Sequence, residues 1–224
     1  TNQSWLWVGV PNNVSNVCKV RVEHQTIGTV KADSGNFSIK GKLVLNTPNS
    51  GIYNISEDMT INWTASGTVG NVRLNYTSTG GEPYSYNILN STGGYFFAES
   101  GEYNWSIPTS AQVSESIRIK VIKQDDESVN DTSNNTLSIR GKLTLTAPNG
   151  GEVWRVGEAK YINWTRFGDT MGNIRIDYSK NNGTDNYSNV ICGSFASGPP
   201  SQYQWQVPNV MLGTPSTRHD NMKV

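Results

Sequence analysis

Apolar and polar residues alternate along short stretches of the chain, with the period of two that marks a β-strand buried on one face. In residues 72–76, Val, Leu and Tyr alternate with Arg and Asn, and in residues 117–121, two Ile and a Val alternate with Arg and Lys. Glycine pairs such as Gly80-Gly81 separate these runs, and no stretch has the spacing of an amphipathic helix. The pattern predicts an all-β protein of short antiparallel strands.

The chain also repeats itself with a period of about 100 residues, which is the strongest single indication of its fold. Gly-Lys-Leu-Val-Leu at residues 41–45 returns as Gly-Lys-Leu-Thr-Leu at residues 141–145. Ile-Asn-Trp-Thr at residues 61–64 returns at residues 162–165. About seven strands in each repeat of about 100 residues is typical of an immunoglobulin-like sandwich. We therefore predict tandem immunoglobulin-like (Ig-like), Greek-key β-sandwiches.

The repeat divides the chain into three parts. Residues 1–40 match the end of the repeat and are predicted to be the C-terminal strands of a partial copy. Residues 41–140 form a complete copy, and residues 141–224 form a copy that lacks its last strands and stops inside its sixth strand at Val224. Because the chain starts at Thr1, we expect that further sequence belongs to the natural protein.

Four tryptophans recur at equivalent places and are predicted to anchor the sandwich cores, because each ring can bury about 150–250 Å² between two sheets. They are Trp63, Trp105, Trp164 and Trp205.

The third copy opens with Pro-Asn-Gly-Gly-Glu-Val-Trp at residues 148–154, followed by Gly157 and by Ile-Asn-Trp at residues 162–164. This opening resembles the Ig-like domain named for yeast cell-wall glucan synthesis proteins, which is similar to domains of Ser/Thr-rich GPI-anchored fungal proteins and of large bacterial and archaeal surface proteins. The middle copy departs from it, with Pro-Asn-Ser-Gly-Ile-Tyr at residues 48–53. The resemblance implies an extracellular or cell-surface setting without catalysis, and it identifies no ligand.

Charge and composition exclude several functions. Lys and Arg total 18 and Asp and Glu total 18, so no net field attracts nucleic acid or an anionic membrane. No apolar run approaches the roughly 20 residues that cross a bilayer, so we expect no membrane insertion. The histidines, His24 and His219, lie near no nucleophile motif. We therefore predict a protein that is not an enzyme.

An acidic loop is the one candidate for a cofactor. Asp125, Asp126, Glu127 and Asp131 offer oxygen ligands of the kind that Ca²⁺ prefers, but without the spacing of a defined calcium loop. A solvated acidic loop is the favoured interpretation, and we expect no other cofactor.

Thirteen Asn-x-Ser/Thr triplets occur, and each is a glycan acceptor sequence in a secreted protein. The candidates on predicted strands are Asn62, Asn75, Asn104 and Asn163, because a neighbouring inward aromatic would turn them towards solvent. The alternative is that the strands simply alternate aromatic and small polar residues.

Aromatic residues that we expect to be exposed cluster in the middle copy, at Tyr84, Tyr86, Tyr95 and Phe96. They could stack against a polysaccharide, but a contact with a neighbouring domain or chain is the favoured interpretation.

The partial copies leave two explanations open. The chain is a window of a longer repeat protein, which we favour, or residues 17–39 of one molecule complete the third copy of another. In the second case Cys18 and Cys192 would share one composite sandwich and could form an intermolecular disulfide. Either way we predict a structural segment of a cell-surface protein or filament whose partners are copies of itself or neighbouring repeats. A carbohydrate-binding or adhesive module is the alternative.

Overall fold

A computed structural model describes residues 4–208 of the chain except residues 92, 170 and 200. In these residues the chain is all-β, and its one helical element is the 3-10 turn Ala98–Ser100. None of the described helical structure is long and apolar enough to cross a membrane. The chain divides into two compact units, of which unit 1 comprises Thr1–Tyr53, Glu57–Ser106 and Ser114–Ser138, and unit 2 comprises Asn54–Ser56, Ile107–Val113 and Ile139–Val224.

Unit 1 begins with two short antiparallel ribbons. Strand β1 pairs with β4, and β2 pairs with β3. The four strands are β1 (Ser15–Cys18), β2 (Arg21–Glu23), β3 (Lys31–Asp33) and β4 (Phe37–Ile39).

The middle copy follows as two sheets packed face to face. One sheet has the order β11–β7–β5, and the other has the order β10–β8–β12–β14–β6, with β9 beside β8 and β13 beside β12. The ten strands are β5 (Lys42–Thr47), β6 (Ile52–Asn54), β7 (Asp58–Ser66), β8 (Asn71–Thr77), β9 (Tyr86–Ile88), β10 (Phe96–Phe97), β11 (Glu102–Ser106), β12 (Ser114–Lys123), β13 (Asn130–Thr132) and β14 (Leu137–Arg140). They exceed the predicted seven partly because the first strand is split into β5 and β6, which join different sheets.

The alternating pattern explains why these residues form a sandwich. In β7, Met59, Ile61 and Trp63 point into the core and are at most 2% exposed, while Thr60 and Thr64 face solvent. The strand order, in which the first strands join opposite sheets, is that of an Ig-like Greek-key sandwich. The predicted all-β, Ig-like fold class is therefore confirmed.

Unit 2 contains the third copy. Its sheets have the orders β15–β16–β19 and β17–β18. The strands are β15 (Lys142–Ala147), β16 (Ala159–Phe167), β17 (Asn173–Tyr178), β18 (Asn189–Ala196) and β19 (Gln202–Gln206). Its core is built on Ile162, Trp164, Ile176, Trp205 and Val207. The predicted sixth strand, which would end at Val224, lies outside the described residues, and the domain boundaries near residues 40 and 140 remain predictions.

Candidate assembly surfaces

The N-terminal hairpin, defined as residues 15–39, repeats the backbone of the middle hairpin, defined as residues 114–140. The register of β2–β3 is that of β12–β13. The recurring backbone hydrogen bonds run from His24 N to Val30 O and Lys123 N to Val129 O, from Val30 N to Ile27 O and Val129 N to Asp126 O, and from Ser34 N to Val20 O and Ser133 N to Ile119 O. The N-terminal hairpin is therefore the last part of an Ig-like repeat.

The two hairpins differ in what covers them. Ile119 and Val121 of the middle hairpin are fully buried, whereas their equivalents Val20 and Val22 are 41% and 72% exposed. The backbone is the same, so the difference comes from the missing second sheet. In the described residues, the N-terminal hairpin presents an uncovered apolar face.

Unit 2 contains a complementary feature, an open strand edge. In the middle copy, β8 has β9 and β10 on one side and β12 on the other. Its equivalent β17 pairs with β18, and among the described residues its second edge carries no strand. An edge of this kind is a template for another strand.

A close contact joins the N-terminal residues of unit 1 to the turn after β7. A Cβ added at Gly67 would lie 3.1 Å from Asn12 Oδ1, 3.3 Å from Gly41 Cα and 3.7 Å from Val14 Cγ2. Asn12 Oδ1 also accepts a hydrogen bond from Thr68 N at 2.8 Å. Only glycine fits here, because Gly67 also has a φ of +79°.

The same contact recurs within unit 2. A Cβ added at Gly168 would collide with Val113 and lie 3.3 Å from Gly141 Cα. Gly168 N donates a hydrogen bond to Thr109 O at 2.8 Å. We call this arrangement, in which a loop packs on a turn through two glycines and a valine, the glycine joint.

A polar groove of about 550 Å³ lies beside the first glycine joint. Lys40 Nζ contacts Asp126 Oδ2 at 2.8 Å across this groove. The hydrogen bond from Lys40, followed by that from Ser128, lowers the pKa of Asp126 to about 2. The charges in the groove are therefore already paired within unit 1.

The predicted calcium ligands are not brought together. No group of three or more acidic, His or Cys side chains suited to a metal occurs among the described residues. Their polar partners are Lys123 for Asp125, Lys40 for Asp126, Arg73 for Glu127, and the backbone N of Leu45 for Asp131. Calcium binding by this loop remains a prediction.

The four glycan candidates differ in exposure. Asn104 is exposed, and Asn62 and Asn163 are half-buried. Asn75 is only 9% exposed, and its Nδ2 donates to Tyr84 O at 3.1 Å. The expectation that Asn75 faces solvent is wrong, because the loop before β9 lies against it.

The expected aromatic platform is only partly on the surface. Phe96 is 7% exposed and packs edge-on against Trp63, with ring centroids 6.2 Å apart, so its predicted exposure is wrong. Tyr84 and Tyr86 are half-buried, and Tyr95 is exposed. The alternation of the strand places Phe96 inside.

The residue that sequence reasoning missed is the next one, Phe97, which is 70% exposed. Leu89 and Tyr95 are 59% and 48% exposed. The register of β10 on β8, in which Phe97 lies opposite Asn71, is the signal that assigns the two phenylalanines to opposite faces.

The four predicted core tryptophans are all buried. Trp63 Nε1 donates to Ala98 O at 2.8 Å, and Trp164 Nε1 donates to Ser197 O at 3.3 Å, so the two copies share this contact. The exposed fractions are 2% for Trp63, 4% for Trp105, 5% for Trp164 and 8% for Trp205.

Cys18 and Cys192 are both half-buried free thiols. Their closest polar partners are backbone carbonyls, Ser15 O for Cys18 and Ser194 O for Cys192. A disulfide between two molecules remains a prediction.

Comparison with known proteins adds little beyond the fold. No protein-family profile matches the sequence, and no curated protein matches it. The structure is similar to fibronectin(III)-like modules of Clostridium thermocellum CbhA, at 17% identity over 73% of this chain and 78% of that chain, with a TM-score of 0.24. It is also similar to a marsupial T cell receptor, at 11% identity over 62% of this chain and 50% of that one, with a TM-score of 0.25. An Ig-like fold is consistent with a structural or adhesive module.

Proposed function

We propose that this chain is a non-enzymatic structural repeat segment of a secreted cell-surface protein or extracellular filament. It assembles through contacts between Ig-like domains, with exchange of strands between copies as the means. The observation that carries this proposal is the glycine joint, which is built from equivalent residues in unit 1 and in unit 2.

The joint suits an architectural role because it can be repeated. A Cβ at Gly67 or at Gly168 would lie 3.3 Å from the Cα of the glycine that opens the copy, Gly41 or Gly141, so backbone approaches backbone at both places. A protein that uses one contact between successive repeats can be lengthened without a new interface. Neither joint contains a nucleophile or a base, which agrees with a role in spacing rather than catalysis.

Electron microscopy of the purified chain, together with hydrogen exchange, tests this function. We expect linear particles, and we expect slow exchange of the Thr68 and Gly168 amides, because each is held by a hydrogen bond in its joint. Fast exchange at both amides would show that the joints are not formed, and round, single-chain particles would contradict assembly.

Polysaccharide binding is the second candidate, supported by the exposed aromatic rings of Tyr95 and Phe97. Depletion of the protein by insoluble β-glucan, cellulose or chitin tests it. We expect no depletion by any of the three. Binding that is abolished by Phe97→Ala and retained by Val44→Ala, a change at another exposed strand residue, would favour this second function.

A further inference from the structure

We propose that the N-terminal hairpin of one copy pairs with the open edge of β17 in a second copy and completes its sandwich. This inference rests on the proposed assembly function and names the partner and the surface. The middle copy, which contains both halves in one chain, supplies the register.

The register follows from the pairing of β12 with β8. There Val121 lies opposite Leu74, and the two strands run antiparallel. Gly-Asn-Val-Arg-Leu-Asn-Tyr at residues 70–76 corresponds to Gly-Asn-Ile-Arg-Ile-Asp-Tyr at residues 172–178. The equivalent pair in the composite sandwich is therefore Val22 opposite Ile176.

The same register brings opposite charges together. Arg21 falls opposite Asp177, and Glu23 falls opposite Arg175. The corresponding pairs of the middle copy, Lys120 with Asn75 and Ile122 with Arg73, have no such match. Opposite charges directly across an antiparallel pair are stabilising, so the hairpin and β17 are complementary in charge.

These charged groups are free to meet a partner. Arg21 is bound to Asp33 within its hairpin, but the two side chains are 50% and 43% exposed. Arg175 is bound to Asp177 on its own strand, and its side chain is 57% exposed. A second opposite charge can be added to each pair without breaking the first.

Apolar burial favours the same arrangement. Val22 is 72% exposed in the hairpin, whereas its equivalent Val121 is fully buried against the second sheet. In the composite sandwich, Val20 would lie opposite Tyr178 and Val22 opposite Ile176, on the face that covers the core. The middle copy shows how completely this face can be buried.

The register also revises the predicted disulfide. Cys18 falls opposite Lys180, whereas Cys192 lies beside Ile176 on the far edge of β17. Two strand spacings and four residues separate them by about 16 Å, well beyond the roughly 7 Å that a disulfide allows between Cα atoms. This pairing therefore forms no Cys18–Cys192 bond, and assembly should not change when thiol is added.

Sedimentation velocity over a range of concentrations measures the association. We expect Val22→Asp to weaken it by about 30-fold or more, because a carboxylate would be buried against Ile176. Val17→Asp is the matched control, because Val17 is 70% exposed and its equivalent is the polar Ser116. We expect the control to associate like the wild type, and equal effects of the two variants would overturn the proposal.

Charge reversal tests the partner strand. Arg21→Glu and Asp177→Arg should each weaken association about 3- to 10-fold, and the two changes in one chain should restore it. No recovery in the double variant would overturn the pairing with β17, and would indicate instead that two hairpins pair with each other.

A chain that stays monomeric up to about 1 mM would overturn the proposal altogether. That result would leave the protection of the Thr68 and Gly168 amides unchanged, so failure of strand exchange can be distinguished from failure of the glycine joints.

Discussion

Replacing Gly67 by alanine should destabilise unit 1 more than the same change at Gly70. The two glycines are a matched pair, because their φ angles are +79° and +78°. An L-residue in this left-handed region costs roughly 1–2 kcal/mol at either position. The new Cβ meets nothing within 4 Å at Gly70, whereas at Gly67 it lies 3.1 Å from Asn12 Oδ1 and 3.3 Å from Gly41 Cα.

The difference between the two variants measures the glycine joint. The added methyl must displace Asn12, which accepts the hydrogen bond from Thr68 N at 2.8 Å, and the net loss of such a bond is about 0.5–1.5 kcal/mol. We therefore expect Gly67→Ala to cost about 1 kcal/mol more than Gly70→Ala, for a total of about 2–3 kcal/mol.

Urea denaturation of both variants measures these free energies of unfolding, and hydrogen exchange follows the Thr68 amide. Exchange of that amide should become faster in Gly67→Ala and stay unchanged in Gly70→Ala. Equal destabilisation by the two changes, with Thr68 still protected in both, would refute the argument that the joint requires glycine.

Three further predictions concern single side chains and the acidic loop. In a glycosylating host, peptide mass mapping should find glycan on the exposed Asn104 and none on the buried Asn75, and a glycan on Asn75 of the folded protein would contradict its placement. Because the pKa of Asp126 is lowered from 3.8 to about 2, its ion pair with Lys40 should stabilise the protein fully above about pH 4 and lose this effect as the pH falls through 2. An NMR titration that gave Asp126 a pKa near 3.8, or equal titration in the wild type and Lys40→Met, would contradict this. Thermal unfolding should be the same with calcium and with a chelator, because the loop carboxylates have other partners, and a calcium-dependent rise in Tm would contradict it.

The alternating pattern predicts strands well where one face is buried and the other is wet. It places Met59 and Trp63 in the core, and both are buried. It fails for Asn75, because a loop from elsewhere in the copy covers the outer side of β8. It also fails for Phe96 and Phe97, since neighbouring aromatics of the same type give no indication of which one faces the core until the register is known.

The glycine joint could not be predicted from the same pattern. A glycine in a turn is explained by its φ alone, and that explanation holds equally for Gly67 and Gly70. What separates them is a contact with Asn12, more than fifty residues away, and only the fold brings those residues together. The recurrence of Gly41 and Gly67 as Gly141 and Gly168 is the one trace that this contact leaves in the sequence.

The N-terminal hairpin shows most directly that burial in this protein is decided between parts of the fold. Its hydrogen bonds and register match those of the middle hairpin, yet Val22 is 72% exposed while Val121 is fully buried. A hairpin of two strands is marginal by itself in water, because it cannot cover its own apolar face. The free energy that orders such a segment must come from a second sheet. A protein whose repeats are completed by neighbouring repeats couples folding to assembly, and in this chain that coupling would be carried by Val20, Val22 and the edge of β17.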